Sequence, residues 1–150
     1  EAVILDGKNA VQTQSYGPEA RGGASRSEVI ISNLSIDYPK VTKSDILLAL
    51  TEEALLKYKS ELRNDGLLII DSNINKPDDQ FKIISVPIIN TAQEKIGKSI
   101  VANIVALGTL VAATNIVSKK SIETALLARV PKGTEELNKK ALYEGFKLVS

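Results

Sequence analysis

Short runs of aliphatic and β-branched residues before residue 90 alternate with polar segments, a pattern that predicts strands interspersed with helices. Five such runs predict β-strands, at residues 10–14, 27–32, 45–50, 67–71 and 81–86. Thr51 and the two glutamates after it predict a helix that follows the third strand, and the polar tripeptide 64–66 predicts its end. A strand, a helix and a strand in this order indicate a βαβ unit with parallel strands.

The pattern becomes helical after residue 90. Asn90, with Gln93 three residues later, predicts a capped helix start, and an apolar helix follows from Ser99. Two more helices are predicted, one near residues 118–129 and one from Thr134 onward. At the other end of the chain, residues 1–5 read as the last turns of a helix, closed by Asp6 and Gly7.

Together these elements predict one domain, residues 1–150, of the α/β class. We expect a three-layer α/β/α sandwich with a mostly parallel or mixed central sheet and a helix-rich C-terminal half. The uncharged stretch 99–118 is interrupted by polar residues, which favours a buried helix over a membrane span.

Composition excludes several classes of function. Nineteen basic and eighteen acidic side chains give a net charge of +1, so no global field selects nucleic acid or an anionic membrane. The chain has no Cys and no His, which excludes a thiolate nucleophile, an imidazole base, iron–sulfur ligands and a usual zinc site. The acidic pairs 52–53 and 135–136 are explained as first-turn helix residues, not as catalytic carboxylates. The composition therefore leaves the binding of a specific ligand or of a protein partner as the remaining class of function.

The glycine-rich segment between the first two predicted strands is the main candidate for ligand binding. Its glycines allow a close backbone approach, Pro18 stiffens the turn, and Arg21 with the amides of Gly22 and Gly23 suits a phosphate or a carboxylate. The alternative is a surface turn whose arginine bonds to a neighbouring carbonyl.

Two asparagines are secondary candidates. Asn103 lies within an otherwise apolar helix, where a buried amide must be hydrogen-bonded, either in an internal network or to a ligand. Asn138 lies on a helical segment although Asn has a low helix preference, so it faces either a ligand or solvent.

The segment SYGPEARGGASRSEVIIS resembles the signature loop and following strand of the gamma subunit of 2-oxoacid:ferredoxin (acceptor) oxidoreductases, most closely the 2-oxoglutarate enzymes. The resemblance continues through DILLALTEEALLKY, DGLLIIDS, VANIVALGTLVA and ELNKKALYEGFKL. It implies the fold of the pyruvate:ferredoxin oxidoreductase gamma domain. Since members of this family open with a strand and a glycine-rich loop leading into a helix, we expect that this chain lacks that strand and loop.

The chemistry that this resemblance implies is oxidative decarboxylation of a 2-oxoacid in cytoplasmic, anaerobic metabolism. Thiamine diphosphate, Mg and iron–sulfur clusters would lie on partner alpha, beta and possibly delta subunits, which pass electrons to ferredoxin or flavodoxin. Coenzyme A, the acyl acceptor, would bind near this subunit. The positions that match its binding residues are Arg21, Asn103 and Asn138, with no catalytic residue on this chain. The amides of Gly22 and Gly23 would bind a phosphate of coenzyme A together with Arg21.

Three alternatives remain from the sequence. The substrate is 2-oxoglutarate on overall resemblance, but pyruvate and branched-chain 2-oxoacids are the other choices within the family. The chain is also interpretable as a purely structural assembly subunit, or as a free-standing nucleotide-binding domain.

Overall fold

The computed structural model of the protein describes residues 1–15, 25–38, 40–78 and 80–150. Within these ranges, two separate sheets form: a parallel sheet and an antiparallel ribbon. The parallel sheet has the strand order β3-β4-β5, with β3 at Ser44–Ala49, β4 at Leu62–Asp71 and β5 at Lys82–Val86.

Helix α2, Glu52–Tyr58, connects β3 to β4, as the sequence predicts. The Thr51 hydroxyl accepts a hydrogen bond from the Ala54 amide at 3.2 Å, and two glutamates occupy the first turn, so the predicted cap is confirmed. Because β3 and β4 are parallel, the predicted βαβ unit is confirmed as well.

Both faces of the parallel sheet are covered by helices. On one face, Leu68 and Ile70 of β4 pack with Leu55 of α2. On the other face, Ile69 packs with Ile88 and with apolar residues of the C-terminal helices. The expected three-layer α/β/α arrangement is therefore confirmed, since alternate residues of β4 point into opposite helical layers.

The antiparallel ribbon consists of β1, Asn9–Ser15, and β2, Arg26–Ser32. Helix α1, Ala2–Leu5, precedes it and ends at Gly7, whose φ of 77° is the left-handed geometry predicted for this glycine. The ribbon packs through Ala10 and Ile31 against a cluster that includes α1. It makes no strand pairing with the parallel sheet in the described part of the chain.

The C-terminal half is helical, in agreement with the sequence pattern. A short helix α3 continues into a π-helix, and a 3₁₀ turn then leads into α4. In order, these elements are α3 Ile88–Asn90, the π-helix Thr91–Ile96, the 3₁₀ turn Ser99–Val101, α4 Ala102–Thr114, α5 Lys119–Leu127 and α6 Glu135–Lys147. Within the described ranges, no helix is long and apolar enough to cross a membrane.

Two predicted helix boundaries are wrong. The tripeptide 64–66 does not end a helix; it lies inside β4, where the pairing shifts from Ser44↔Leu62 to Ile46↔Leu67. Leu62 is only 2% exposed, so β4 has already entered the core before residues 64–66. These turn-forming residues therefore accommodate the shift in strand pairing inside β4. Asn90 is not a cap either, because its backbone is helical and the helix has already begun at Ile88, after Pro87.

Helices α4 and α6 cross in close contact through two glycines. A Cβ on Gly108 would overlap the carbonyl oxygen of Leu142, and a Cβ on Gly145 would overlap that of Val105. The buried Thr109 hydroxyl bonds to the carbonyl of Val105 in its own helix at 2.9 Å and to that of Gly145 across the crossing at 3.3 Å. The backbones can approach this closely because neither glycine carries a side chain.

We predict that Gly108→Ala destabilises the protein. Alanine favours helices over glycine by up to about 1 kcal/mol, but its methyl group meets backbone atoms that do not rotate away. Overpacking of this kind costs about 1–3 kcal/mol, so we expect a net loss of about 2 kcal/mol. The measurement is the free energy of unfolding by urea. Asn103→Ala, at an exposed position of the same helix, is the control and should stay within about 0.5 kcal/mol of the parent.

Candidate ligand-binding site

The two ribbon strands bring together the ends of the glycine-rich segment. Their pairing runs from Asn9↔Ser32 to Ser15↔Arg26, so residues 16–24 leave and re-enter the ribbon at adjacent points. The predicted site residues Arg21, Gly22 and Gly23 lie outside the described residues.

Arg26 connects this end of the ribbon to the parallel sheet. Its guanidinium lies 2.6 Å from a carboxylate oxygen of Glu61 and 3.2 Å from one of Glu28. The same group stands 5.3 Å from the centre of the Tyr58 ring, within the range of a cation–π contact. Glu61 and Tyr58 belong to the corner between α2 and β4, at the amino-terminal edge of the sheet. The end of the ribbon that carries the glycine-rich segment is therefore fixed at this corner.

Asn103 is exposed, which corrects the expectation of a buried amide in an apolar helix. It is the second residue of α4, on the solvent side of that helix, and its side chain makes no hydrogen bond to another described residue. Ile100, one turn earlier, is 81% exposed. The apolar sequence around Asn103 is buried on the other sides of the helix, so sequence alone misplaced this residue.

Asn138 is buried, with only 8% of its surface exposed. Its amide nitrogen donates to the carbonyl oxygen of Thr134 at 2.9 Å and to the Thr134 hydroxyl at 3.1 Å, within the first turn of α6. No buried side-chain oxygen or nitrogen in the described part of the chain lacks a partner. The alternative that Asn138 faces solvent is therefore wrong. The amide nitrogen of Asn138 supports the start of its own helix.

Asp71 is a residue that the sequence analysis missed. It is the last residue of β4, it is fully buried, and its two carboxylate oxygens accept the backbone N–H groups of Asn73 at 2.9 Å and of Ile89 at 2.8 Å. The sequence signal that could have identified Asp71 is an acidic residue at the end of an apolar strand. Ligands of open α/β sheets commonly bind at the carboxyl edge of the strands, so such a residue is a candidate for a functional role. Here the carboxylate instead holds the start of α3, and so sets the position of the helices that follow.

The carboxylates with shifted pKa values hold helices together. Hydrogen bonds from Ser121 and Ser118 of the α5 start lower the pKa of Asp6, which follows α1. Hydrogen bonds from Tyr143 and Lys139 of α6 lower the pKa of Glu123 in α5. Since lowering a carboxyl pKa favours the charged acceptor over a proton donor at neutral pH, neither group is suited to general acid catalysis.

The described residues offer no site for a metal or a cluster. Within these ranges, no group of three or more acidic side chains is placed to hold a metal ion. Because the full sequence has neither Cys nor His, an iron–sulfur cluster does not fit this chain. The described part of the candidate site consists of the exposed amide of Asn103 and the ribbon end that Arg26 fixes.

Comparisons with known proteins extend this picture. The model of the family described as pyruvate ferredoxin/flavodoxin oxidoreductase matches residues 1–148. Among curated relatives, the 2-oxoglutarate synthase subunit KorC of Methanocaldococcus jannaschii is 49% identical over 151 residues, which cover 98% of this chain and 81% of the relative.

Solved structures agree. The gamma subunit of a keto/oxoacid ferredoxin oxidoreductase from Geobacter sulfurreducens matches with a TM-score of 0.90 and 51% identity, over 99% of this chain and 83% of that chain. The 2-oxoglutarate:ferredoxin oxidoreductase from Magnetococcus marinus, determined with 2-oxoglutarate, coenzyme A and succinyl-CoA bound, matches with a TM-score of 0.86 and 18% identity. That match covers 99% of this chain and 27% of the larger chain, and it shows a shared fold.

We predict that Asp71→Ala destabilises the protein, because it leaves the partly buried N–H group of Ile89 without its acceptor and removes a carboxylate that is fully buried. An unsatisfied buried donor costs about 1–3 kcal/mol, and the loss of a charged acceptor puts the expected cost near 3 kcal/mol. The change in the free energy of unfolding is measured by urea denaturation. Asp78→Ala, at an exposed loop position, should change the free energy of unfolding by less than about 0.5 kcal/mol. Equal effects of the two substitutions would contradict the assigned role of Asp71.

Proposed function

The chain belongs to the pyruvate ferredoxin/flavodoxin oxidoreductase family, and we propose that it is the gamma subunit of a 2-oxoglutarate:ferredoxin (acceptor) oxidoreductase. The observation that carries this proposal is the 49% identity to a 2-oxoglutarate synthase subunit over 98% of the chain. The TM-score of 0.90 to a solved gamma subunit of a keto/oxoacid ferredoxin oxidoreductase supports the assignment as a gamma subunit. The proposed reaction is oxidative decarboxylation of 2-oxoglutarate to succinyl-CoA in the cytoplasm, with ferredoxin or flavodoxin as the electron acceptor.

In this proposal the bond-making groups belong to partner subunits. The lack of Cys and His on this chain supports iron–sulfur clusters on other subunits, and we place Mg and thiamine diphosphate there as well. The partners are an alpha subunit, a beta subunit and, in some assemblies, a delta subunit. The role of the gamma chain is to dock on these subunits and to contribute side chains to the coenzyme A site.

We propose that coenzyme A meets this chain at two places. The guanidinium of Arg21 and the amides of Gly22 and Gly23 bind a phosphate, since an arginine beside consecutive N–H groups matches phosphate geometry. The exposed Asn103 amide and the oxygen of Asn138 bind the amide or ribose groups of the same molecule. The solvent-facing, unpaired state of Asn103 supports its part of this assignment.

Native purification of the full-length protein under anaerobic conditions tests the subunit assignment. We expect other chains to co-elute, with visible iron–sulfur absorption and with 2-oxoglutarate oxidation that depends on coenzyme A. Oxidation of pyruvate or of branched-chain 2-oxoacids in preference to 2-oxoglutarate would correct the substrate. A colourless monomer or homodimer would contradict the proposal and would favour a free-standing ligand-binding domain.

Substitution of the proposed coenzyme A contacts tests the site. In the assembled complex, Arg21→Ala and Asn103→Ala should each raise the KM for coenzyme A about tenfold, because each removes a hydrogen bond worth roughly 1–2 kcal/mol to a charged or polar ligand group. The matched control is Asn75→Ala, at another exposed asparagine. Steady-state kinetics with varied coenzyme A provides the measurement.

Two outcomes separate the site from a purely structural subunit. If the triple variant Arg21→Ala, Asn103→Ala and Asn138→Ala keeps the parent's coenzyme A affinity and rate of succinyl-CoA formation, the site assignment is wrong. If Arg21→Glu prevents assembly and leaves the coenzyme A affinity of the residual complex unchanged, the segment is an interface element instead.

A further inference from the structure

We propose that the segment 118–133, which contains helix α5, is a detachable strap: it opens as a unit while the parallel sheet and the α4–α6 pair stay folded. This motion is a property of the fold and does not rest on the proposed function. The strap is held to the protein in a different way from the two helices on either side of it, and that difference carries the proposal.

The neighbouring helices α4 and α6 are anchored by burial. Each contributes five buried residues, and the two cross in backbone contact through Gly108 and Gly145. Helix α5, whose nine residues are all described, contributes no buried residue. Its apolar side chains Ile122, Ala125 and Leu126 are half-buried against the cluster that includes residues of α1, α4 and α6. Since packing of an apolar face supplies most of the stability of a helix in a protein, α5 is the least firmly anchored of the three.

Polar contacts hold the beginning of α5. One carboxylate oxygen of Asp6 accepts the backbone N–H of Ser118 at 2.6 Å, and the other accepts the hydroxyls of Ser118 and Ser121 at 2.9 Å and 2.5 Å. Just before the helix, the ammonium group of Lys8 donates to the carbonyl oxygen of Ile116 at 3.2 Å. A negative charge is favoured at the first turn of a helix, so Asp6 is the main tie at this end.

Polar contacts also hold the rest of the strap. Glu123, in the middle of α5, accepts a hydrogen bond from the Tyr143 hydroxyl at 2.5 Å and pairs with the Lys139 ammonium at 3.0 Å, both on α6. Arg129, two residues past the end of α5, pairs with Glu1. The side chains of this last pair are 75% and 47% exposed, so water and salt screen their attraction. Such contacts orient α5 but contribute little to its stability.

The strap has defined ends. Val117, only 6% exposed, is the last anchored residue before it. None of the residues 118–133, all of which the structure describes, is buried. The backbone is left-handed at Asn115, where α4 ends, with a φ of 50°, and at Gly133, before α6, with a φ of 89°. A few residues at the ends of elements are sufficient to absorb the dihedral changes of a hinge, so opening can be confined to this segment.

The strap forms one wall of an open groove, so its motion alters the surface of the protein. Ile122, Leu126 and Arg129 line this groove from the strap, Gln12 lines it from the ribbon, and Leu107 lines it from α4. Outward motion of the strap widens the groove and exposes apolar surface of α4 to solvent. Elements that move between closed and open states are drawn from weakly buried segments of this kind.

Limited proteolysis with trypsin tests the proposal in the natively purified, full-length protein, because the chain offers a matched pair of cleavage sites. Lys119 and Lys120 are consecutive in α5, and Lys139 and Lys140 are consecutive in α6. Cleavage within a helix requires local opening, and its rate follows the open population when opening and closing are fast. We expect cleavage in the α5 pair to be at least about tenfold faster than in the α6 pair. Equal rates at the two pairs, or faster cleavage in α6, would overturn the proposal.

Removal of the main tie tests what controls the opening. Asp6→Ala should raise both cleavage in the α5 pair and amide hydrogen exchange in peptides that cover 118–133 about fivefold, with exchange in β4 and α4 unchanged. Thr51→Ala is the matched control, since it also removes a helix cap, but from α2, which the buried Leu55 anchors. It should leave exchange in 118–133 at the parent value. If Asp6→Ala does not fold, Ser121→Ala replaces it, because it removes one of the same hydrogen bonds.

Three results of the exchange experiment would overturn the proposal. Exchange in α5 as slow as in β4 in the parent protein would show that the strap does not open separately. A rise in Asp6→Ala by the same factor in 118–133 and in β4 would show that the tie supports the whole fold. Unchanged exchange and cleavage in the variant would show that the polar ties do not set the opening. Since none of these measurements involves coenzyme A, this proposal and the proposed function fail separately.

Discussion

Burial of strand β4 on both faces is the constraint on which the remaining structure depends. The four residues 68–71 are each 0% exposed, and successive side chains enter opposite helical layers. Removing such apolar surface from water is the main favourable term in folding, at about 25 cal/mol per Å². One strand therefore requires α2 on one side and the C-terminal helices on the other, and both neighbouring strands take their register from it.

The end of this strand also determines how the sheet relates to the candidate site. Asp71 uses both carboxylate oxygens on backbone N–H groups, so the carboxyl edge of the sheet is committed to holding α3. Open α/β sheets commonly bind ligands at that edge. The residues that we propose for ligand binding lie elsewhere: three follow β1, whose ribbon is fixed at the amino-terminal edge of the sheet, and two lie in α4 and α6. In that proposal the core acts as a support, and the binding groups are attached to its periphery.

The sequence was sufficient for most elements and for their layers, because apolar periodicity and a capping residue such as Thr51 act locally. Prediction from the sequence failed where the same local sequence signal is compatible with two different structures. The residues around Gly66 suit a strand irregularity as well as a helix end, and the burial of Leu62 decides between them. Whether Asn103 is buried depends on which side of α4 meets the sheet, a tertiary fact that the nearly uniform apolarity of that helix conceals. The assignment of Arg21 stays a prediction.

A ribbon that stands apart from the sheet has a consequence for how such a chain diversifies. The ribbon shares no strand pairing with the parallel sheet in the described part of the chain, so substitutions in β1 and β2 leave the register of β3, β4 and β5 unchanged. What ties the ribbon to the rest of the fold is packing, since Ala10 and Ile31 lie against the cluster that contains Val111 of α4 and Leu142 of α6. Selection must therefore keep these two apolar positions, while the exposed positions of both strands are open to change.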